Sequence, residues 1–376
     1  MRRAATAAAL LLGLVAVAGC GSTPPPPATP AAQGGSAQPG AAPAGTASAA
    51  PALSAAPVPD GKLTIAFAGD VHFEGRTQPR LGVKPPEAAL GPIAQTLAAA
   101  DLSVLNLETA ITGRGAPEAK IYHFRTSPQA LAALRDSGVD VVSMANNHAV
   151  DYGPDGLTDT LAAQASAPIP VIGIGRDAQQ AYAPYVTTVE GVRVAVIAAS
   201  QIVDLTNQKY RAGAAKPGIA SALDESALLN AVKQAKTQAK VVVVYLHWGE
   251  EGKTCPTAAQ TSIAKKLAQA GATAVVGTHA HTMLGTGMQG GTYVAYGLGN
   301  FLWYGTSDYK DSDETGVVTL TVSPEGKVVG ESFTPAHVGA DGVPAPQTGQ
   351  AATAARARLD GLRGCAGLSP APRDNG

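Results

Sequence analysis

The chain has 376 residues, with 27 basic and 28 acidic side chains and a formal net charge of −1 at neutral pH. It therefore carries no excess of positive charge for gripping a nucleic-acid backbone, and at 5% its aromatic content is too low for a base-stacking platform. The length accommodates one large domain or two small ones, and the hydrophobic content of 45% is ordinary for a globular protein.

The sequence opens Met1-Arg2-Arg3 and runs apolar from Ala4 to Ala18. A short basic segment before a short apolar core reads as an export signal over residues 1–19. The run is shorter than the roughly 20 residues a membrane-spanning helix needs. It ends Val17-Ala18-Gly19-Cys20, which resembles a bacterial lipobox. The resemblance implies cleavage before Cys20, a diacylglyceryl group on its sulfur, and a protein exported and lipid-anchored at the outer face of the cytoplasmic membrane. Each buried CH₂ of an acyl chain contributes about 0.8 kcal/mol, so two chains anchor stably. An ordinary secretory signal with a chance cysteine is the alternative. Residues 21–60 are nearly all Ala, Pro, Gly, Ser and Thr, including Pro24-Pro25-Pro26-Pro27. Such a stretch cannot bury enough apolar surface to fold, and its prolines keep it extended as a tether.

From Lys62 the pattern changes. Leu63–Ala68 is a short apolar run, and similar runs follow at Leu102–Leu107, Val139–Met144, Val171–Ile174, Val192–Ala198, Val241–Leu246, Ala274–Val276 and Val294–Tyr296. Continuous apolar runs of this length suit strands buried on both faces. Helical patterns lie between several of them, at Gln129–Ser137, Gly156–Ala165, Glu225–Lys236 and Thr257–Ala270. This alternation predicts an α/β fold with helices covering the sheet. Val317–Val322 and Val328–Phe333 alternate with polar residues around Pro324-Glu325-Gly326 and read as an antiparallel hairpin. The domain is expected over 61–340. A C-terminal segment, 341–376, carries a short helix at Ala351–Leu362 that packs at an edge or frays.

The polar residues collect at strand ends. Asp70 and His72 follow the first run, Asn106 and Glu108 the second, and Asn146-Asn147-His148 the third. His247 follows a later run, and His279 and His281 the next. Ligand sites in α/β sheets lie beyond the carboxyl ends of strands, and five of the seven histidines fall there. Asp70-Val71-His72 sets a carboxylate and an imidazole two residues apart, and in extended backbone both point the same way. His279-Ala280-His281 repeats the spacing with two imidazoles. Glu108 offers a carboxylate able to bridge two cations, and Asn147 an amide oxygen. The mixture suits two divalent ions, Mn, Fe, Zn or Co. Two such ions about 3.5–4 Å apart hold an anionic substrate and activate a water. His123 and His337 read as structural or solvated. Beyond Cys20, two cysteines remain. Outside the cytosol an even count favours a disulfide between Cys255 and Cys365; free thiols, or Cys255 as a ligand, are the alternatives.

With these residues in hand, the chain resembles the CapA family of capsule (poly-γ-glutamate) biosynthesis proteins, within the calcineurin-like metallophosphoesterase superfamily. The matching segments are Gly69-Asp70, Asn106-Leu107-Glu108-Thr109, Ala145-Asn146-Asn147-His148 with Asp151-Tyr152-Gly153, His247-Trp248-Gly249, Gly277-Thr278-His279-Ala280-His281 and Gly297-Leu298-Gly299-Asn300-Phe301. The resemblance implies a four-layer α-β-β-α sandwich. It implies that Asp70, His72 and His281 hold one ion, that Asn147, His247 and His279 hold the other, and that Glu108 bridges them. His148 becomes the general acid or base, a task suited to a free pKa near 6.5. Many members of the family lack a histidine where His72 stands, have Pro where Ala280 stands and Ser where Gly297 stands; neither of the last two changes removes a ligand.

Arg125 can clamp a phosphate or carboxylate, or be a surface arginine. Trp248 and Asn300 read as pocket-lining residues or as supports behind the ligands. Glu250-Glu251 gates the site or binds a cation, or is a solvated loop. Three functions fit: a metal-dependent hydrolase of a phosphoester or amide, a non-hydrolytic component of capsule synthesis that binds an anionic polymer, and a metal-assisted epimerase. The membrane and other capsule-synthesis proteins are the expected partners.

Overall fold

The computed structural model describes residues 61–84, 88–304 and 309–373. The expected export signal, Cys20 and the tether lie outside the described residues. In chain order the main elements begin with β1 (Leu63–Val71), β2 (Leu102–Leu107), α1 (Gln129–Asp136), β3 (Val141–Ser143), α2 (Gly153–Ala165), β4 (Val171–Ile172), β5 (Tyr185–Val189) and β6 (Val192–Ser200). They continue with α3 (Glu225–Gln238), β7 (Val241–His247), α4 (Ala258–Ala270), β8 (Ala274–Thr278), β9 (Thr286–Gln289) and β10 (Thr292–Ala295). The last are β11 (Asn300–Leu302), β12 (Glu314–Val322), β13 (Val328–Val338), β14 (Pro344–Pro346) and α5 (Gly349–Ala366).

One sheet of eight strands runs β14-β13-β12-β1-β2-β3-β4, with β11 also paired to β1. A second, of six, runs β9-β10-β8-β7-β6-β5. Strands β1 to β4 are parallel, as are β6, β7, β8 and β10. The outer strands β12–β14, β9 and β5 pair antiparallel.

The layers follow from the period of two along each strand. Val241, Val243 and Tyr245 of β7 share one core with Ile65 and Phe67 of β1 and Val104 of β2, so this core lies between the sheets. Val242, Val244 and Leu246 point the other way, onto Leu228 and Val232 of α3 and Ile263 and Leu267 of α4. Ala66, Ala68, Leu105 and Val142 turn from the inter-sheet core onto Leu131 and Leu134 of α1 and Leu157 of α2. Three apolar cores between four layers of structure make the α-β-β-α sandwich. They also explain the unbroken apolar strands, because neither face of a central strand meets water. Helix starts are written locally: Thr257 accepts from the Gln260 N–H while the Gln260 side chain returns to Thr257, a complete capping box for α4.

Two expectations change. The run Val171–Ile174 is not one strand, because Gly173 adopts φ +81 and a Cβ there would meet the Ala145 Cβ at 2.5 Å. The C-terminal helix is longer than expected and neither frays nor stands apart. It spans Gly349–Ala366, buries Ala352, Ala355, Leu359 and Ala366, and ends in a left-handed Gly367. β14 extends the first sheet beyond residue 340, so the C-terminal segment is built into the fold. A disulfide joins Cys255 to Cys365, 110 residues apart in sequence.

Closing a loop of that size restricts the unfolded chain. We expect Cys365→Ser to cost about 2–4 kcal/mol and to lower Tm by several degrees. Reductant should lower the wild-type Tm to the same value and leave the variant unchanged. Equal melting of oxidised and reduced wild type would refute it.

Candidate metal centre

The carboxyl ends of β1, β2 and β3 in one sheet meet those of β7 and β8 in the other. Asp70, fully buried, is gripped from both sides. Asn106 Nδ2 donates to its Oδ1 at 2.8 Å, and the backbone N–H of His279 donates to its Oδ2 at 3.0 Å. Asn146 carries the network onward: its Nδ2 donates to Asn106 Oδ1 at 3.0 Å, and its Oδ1 accepts the His148 N–H at 3.0 Å. Glu108, one residue beyond β2, is also fully buried, and neither of its oxygens has a hydrogen-bond partner. A buried charge left unpaired is costly. Burial, and then the negative charge of Asp70, push the Glu108 carboxyl well above its ordinary range.

Acceptor atoms converge on that carboxylate. His247 Nε2 lies 2.7 Å from Asn147 Oδ1, 3.1 Å from His279 Nδ1 and 3.3 Å from Glu108 Oε1. Its other nitrogen, Nδ1, sits 3.1 Å from Thr278 Oγ1. Two groups of ligand atoms result, Glu108 with His247 and His279, and Asp70 with Glu108 and His281; within each, the atoms lie within 4.8 Å of one another. The groups share Glu108. Its orphaned oxygens, among neutral imidazoles and an amide oxygen, fit a pair of divalent cations. Burial pulls His247 down to about 4 and holds His279 well below the usual histidine value. Both are therefore neutral at pH 7, the form that ligates.

The backbone pays for the aim of the last two rings. His279 and His281 adopt φ 89 and φ 55, where a non-glycine residue costs on the order of 1–3 kcal/mol. The extended geometry expected of His279-Ala280-His281 is thus a left-handed turn after β8. His281 is steadied from behind, its Nδ1 lying 2.8 Å from Asn300 Oδ1.

His72 is placed differently. β1 stays in step with β2 from Asp70 to Val71, and the shift in its pairing with β11 comes from the extra residue Phe301 on that strand. The ring stacks on Phe124 at 4.5 Å, edged by Trp303 at 4.5 Å and Tyr304 at 4.7 Å. Its nitrogens face the backbone N–H groups of Glu74 at 3.2 Å and Tyr304 at 3.3 Å. It belongs to neither group of converging ligand atoms.

His148 is clamped. Its Nδ1 lies 2.7 Å from Asp151 Oδ2, and its Nε2 faces Glu108 Oε1 at 4.0 Å. Asp151 is held in turn by Lys120 Nζ at 2.7 Å and the Phe124 N–H at 2.7 Å. Burial raises Asp151 to about 6 against the pull of Lys120, leaving it ionised at neutral pH. Burial and then the Lys120 charge hold His148 well below the usual histidine value. Asp151 lies in one of the segments that carry the resemblance but has no role assigned from it, and Lys120 carries no sequence signal for this contact. Trp248 is no pocket wall: it is fully buried in the core under α4, with Nε1 donating to Tyr296 O at 2.9 Å. Asn300 stands behind His281 rather than in open space. Arg125 is exposed, its guanidinium 4.7 Å over the Tyr152 ring.

Residues 64–304 match the model of the family described as bacterial capsule synthesis protein PGA_cap. A PGA biosynthesis protein CapA of Bacillus subtilis (strain 168) is 29% identical over 247 residues, which is 65% of this chain and 64% of that protein. A capsule biosynthesis protein CapA of Bacillus anthracis is 32% identical over 202 residues, 51% of this chain and 47% of its own. The chain thus spans about half to two thirds of the length of these relatives. Among solved structures, a 5'-nucleotidase precursor from Thermus thermophilus aligns with a TM-score of 0.45 and 15% identity, covering 79% of this chain and 58% of that one.

The buried histidines set a pH dependence. In the metal-free protein the unfolded chain takes up protons below about 6.5 that native His72, His148, His247 and His279 refuse. Their stabilisation is complete above 6.5 and is lost as pH falls, by up to about 1.4 kcal/mol per pH unit for each group. Glu108 and Asp151 act in the opposite sense, losing stability as pH rises past 4.5 and 3.8 respectively, but they are two groups against four. In chelator, Tm should fall between pH 7 and pH 5, and His247→Gln should flatten that slope. A Tm that is level or rises over this interval would overturn the assignment.

Proposed function

Because the chain belongs to the bacterial capsule synthesis protein family PGA_cap, we propose that it is an exported, lipid-anchored, divalent-metal-dependent hydrolase of an anionic cell-envelope substrate, either a phosphoester or a carboxylate-rich polymer of the poly-γ-glutamate type. One observation carries the reading: two buried groups of ligand atoms share Glu108, whose oxygens have no other partner. The printed names of the Bacillus relatives, for PGA and capsule biosynthesis, support an envelope polymer as substrate.

Asp70, Glu108 and His281 would hold one ion, and Glu108, Asn147, His247 and His279 the other. Bound there, the ions supply Lewis-acid chemistry, offsetting the substrate's negative charge and acidifying a water. The proton work falls to His148. Its Nδ1–H donates to Asp151, which leaves Nε2 as the nitrogen facing the centre. That nitrogen accepts a proton when neutral and delivers one to the leaving group when charged. Lys120 and the Phe124 N–H keep Asp151 in place, so the ring cannot turn its working nitrogen away. Arg125, next to the Phe124 ring that stacks on His148 at 4.2 Å, offers an exposed positive charge to an anionic chain. The acyl anchor on Cys20 and contacts with other capsule-synthesis proteins complete the proposal.

Purified protein with added Mn should cleave a generic phosphodiester or poly-γ-glutamate. His148→Asn should lower kcat about 10²–10⁴-fold with metal content unchanged, whereas Asp70→Ala should lose metal by elemental analysis. Bound ions with no turnover of either substrate class under Mn, Fe, Zn or Co would reject hydrolysis in favour of polymer binding. In cell fractionation, Cys20→Ala should move the protein from the membrane pellet to the soluble fraction; an unchanged distribution would remove the anchor.

A further inference from the structure

Glu251 lies four residues past His247, on the loop between β7 and α4. One of its carboxylate oxygens groups with ligand atoms of His279 and His281, all within 4.8 Å of one another. Asp70 and Glu108 reach the centre from inside the fold, but Glu251 is exposed and reaches the same histidines from the solvent side.

The loop is pinned to the segment that carries those histidines. The Gly252 N–H donates to Ala280 O at 2.8 Å, and Thr282 Oγ1 donates to Lys253 O at 2.8 Å. Upstream, the buried Trp248 indole holds the start of the loop on Tyr296 O. Downstream, the disulfide ties Cys255 to α5. The Tyr309 hydroxyl donates to Glu251 Oε2. Its neighbour Glu250 instead pairs with Lys253 at 3.6 Å, with a side chain 62% exposed. Two adjacent glutamates are therefore in different situations, and the difference is the loop's attachment to Ala280.

We propose that Glu251 is a further carboxylate ligand of the metal centre, closing it on the solvent side across His279 and His281. This rests on the two-ion reading above and deepens it. With Asp70 and Glu108 alone, two divalent ions leave a surplus of two positive charges; a third carboxylate reduces it to one. Glu251 thus lowers the free energy of the loaded centre and retains a net positive charge to receive an anionic oxygen of the substrate.

The test is Mn binding by the full-length protein in detergent, read by calorimetry and by the Mn electron paramagnetic resonance signal. Glu251→Ala should weaken binding of at least one ion about tenfold or more. Glu250→Ala should leave both affinities as in the wild type. Tm in chelator, unchanged in both variants, establishes that each is folded. Two ions bound by Glu251→Ala with wild-type affinities would overturn this inference alone. Absence of Mn binding by the wild type would overturn the two-ion reading, and this inference with it.

Discussion

The molecule depends on how Asp70 is held. One carboxylate oxygen takes a hydrogen bond from Asn106, on the neighbouring strand of its own sheet, and the other takes the backbone N–H of His279, which belongs to the opposite sheet. Hydrogen bonds to an ionised acceptor are about twice as strong as neutral ones, and this pair closes the sandwich at the end where every candidate ligand emerges. The wide inter-sheet core brings the sheets together without directional preference. The Asp70 contacts set how their edges register, and so where the histidines of one sheet stand relative to the carboxylates of the other.

Three of the histidines at the centre are defined by what their second nitrogen touches. Thr278 takes that place for His247, Asn300 for His281 and Asp151 for His148. Such partners fix the ring's orientation and the nitrogen left free. His72 has backbone N–H groups at both nitrogens and an aromatic wall around its ring. The same residue type is thus set in three different surroundings within one region: among converging ligand atoms, against a buried carboxylate, and within an aromatic wall.

Much of this was legible in the sequence, for physical reasons. Val241–Leu246 is unbroken because both faces of β7 are buried, and the Thr257–Gln260 pair announces a helix start. The candidate ligands were visible because they sit just past such strands. What escaped the reading had weaker local signals. β5, Tyr185–Val189, is a half-exposed edge strand without a continuous apolar run. The stripe that docks α5 is mostly alanine, which reads as composition rather than as a face. Lys120 and Asp151 are 31 residues apart and meet only through the folded loop. The placement of His72 turns on Trp303 and Tyr304, more than two hundred residues downstream, and no spacing rule reaches that far.

β1 lies between β2 and β12, and Leu63 is paired with Val322. The strand that starts the domain thus finds two of its three partner strands, β11 and β12, only late in the chain. Pairings of such high sequence separation are slow, because a long loop must close before any contact rewards it. For a polypeptide delivered N-terminus first, the earliest apolar strand waits, exposed along one edge, until β12 arrives. The candidate ligands are likewise spread far along the chain, from Asp70 to His281. Assembly of the candidate centre is therefore bound to closure of the fold rather than to any one local segment.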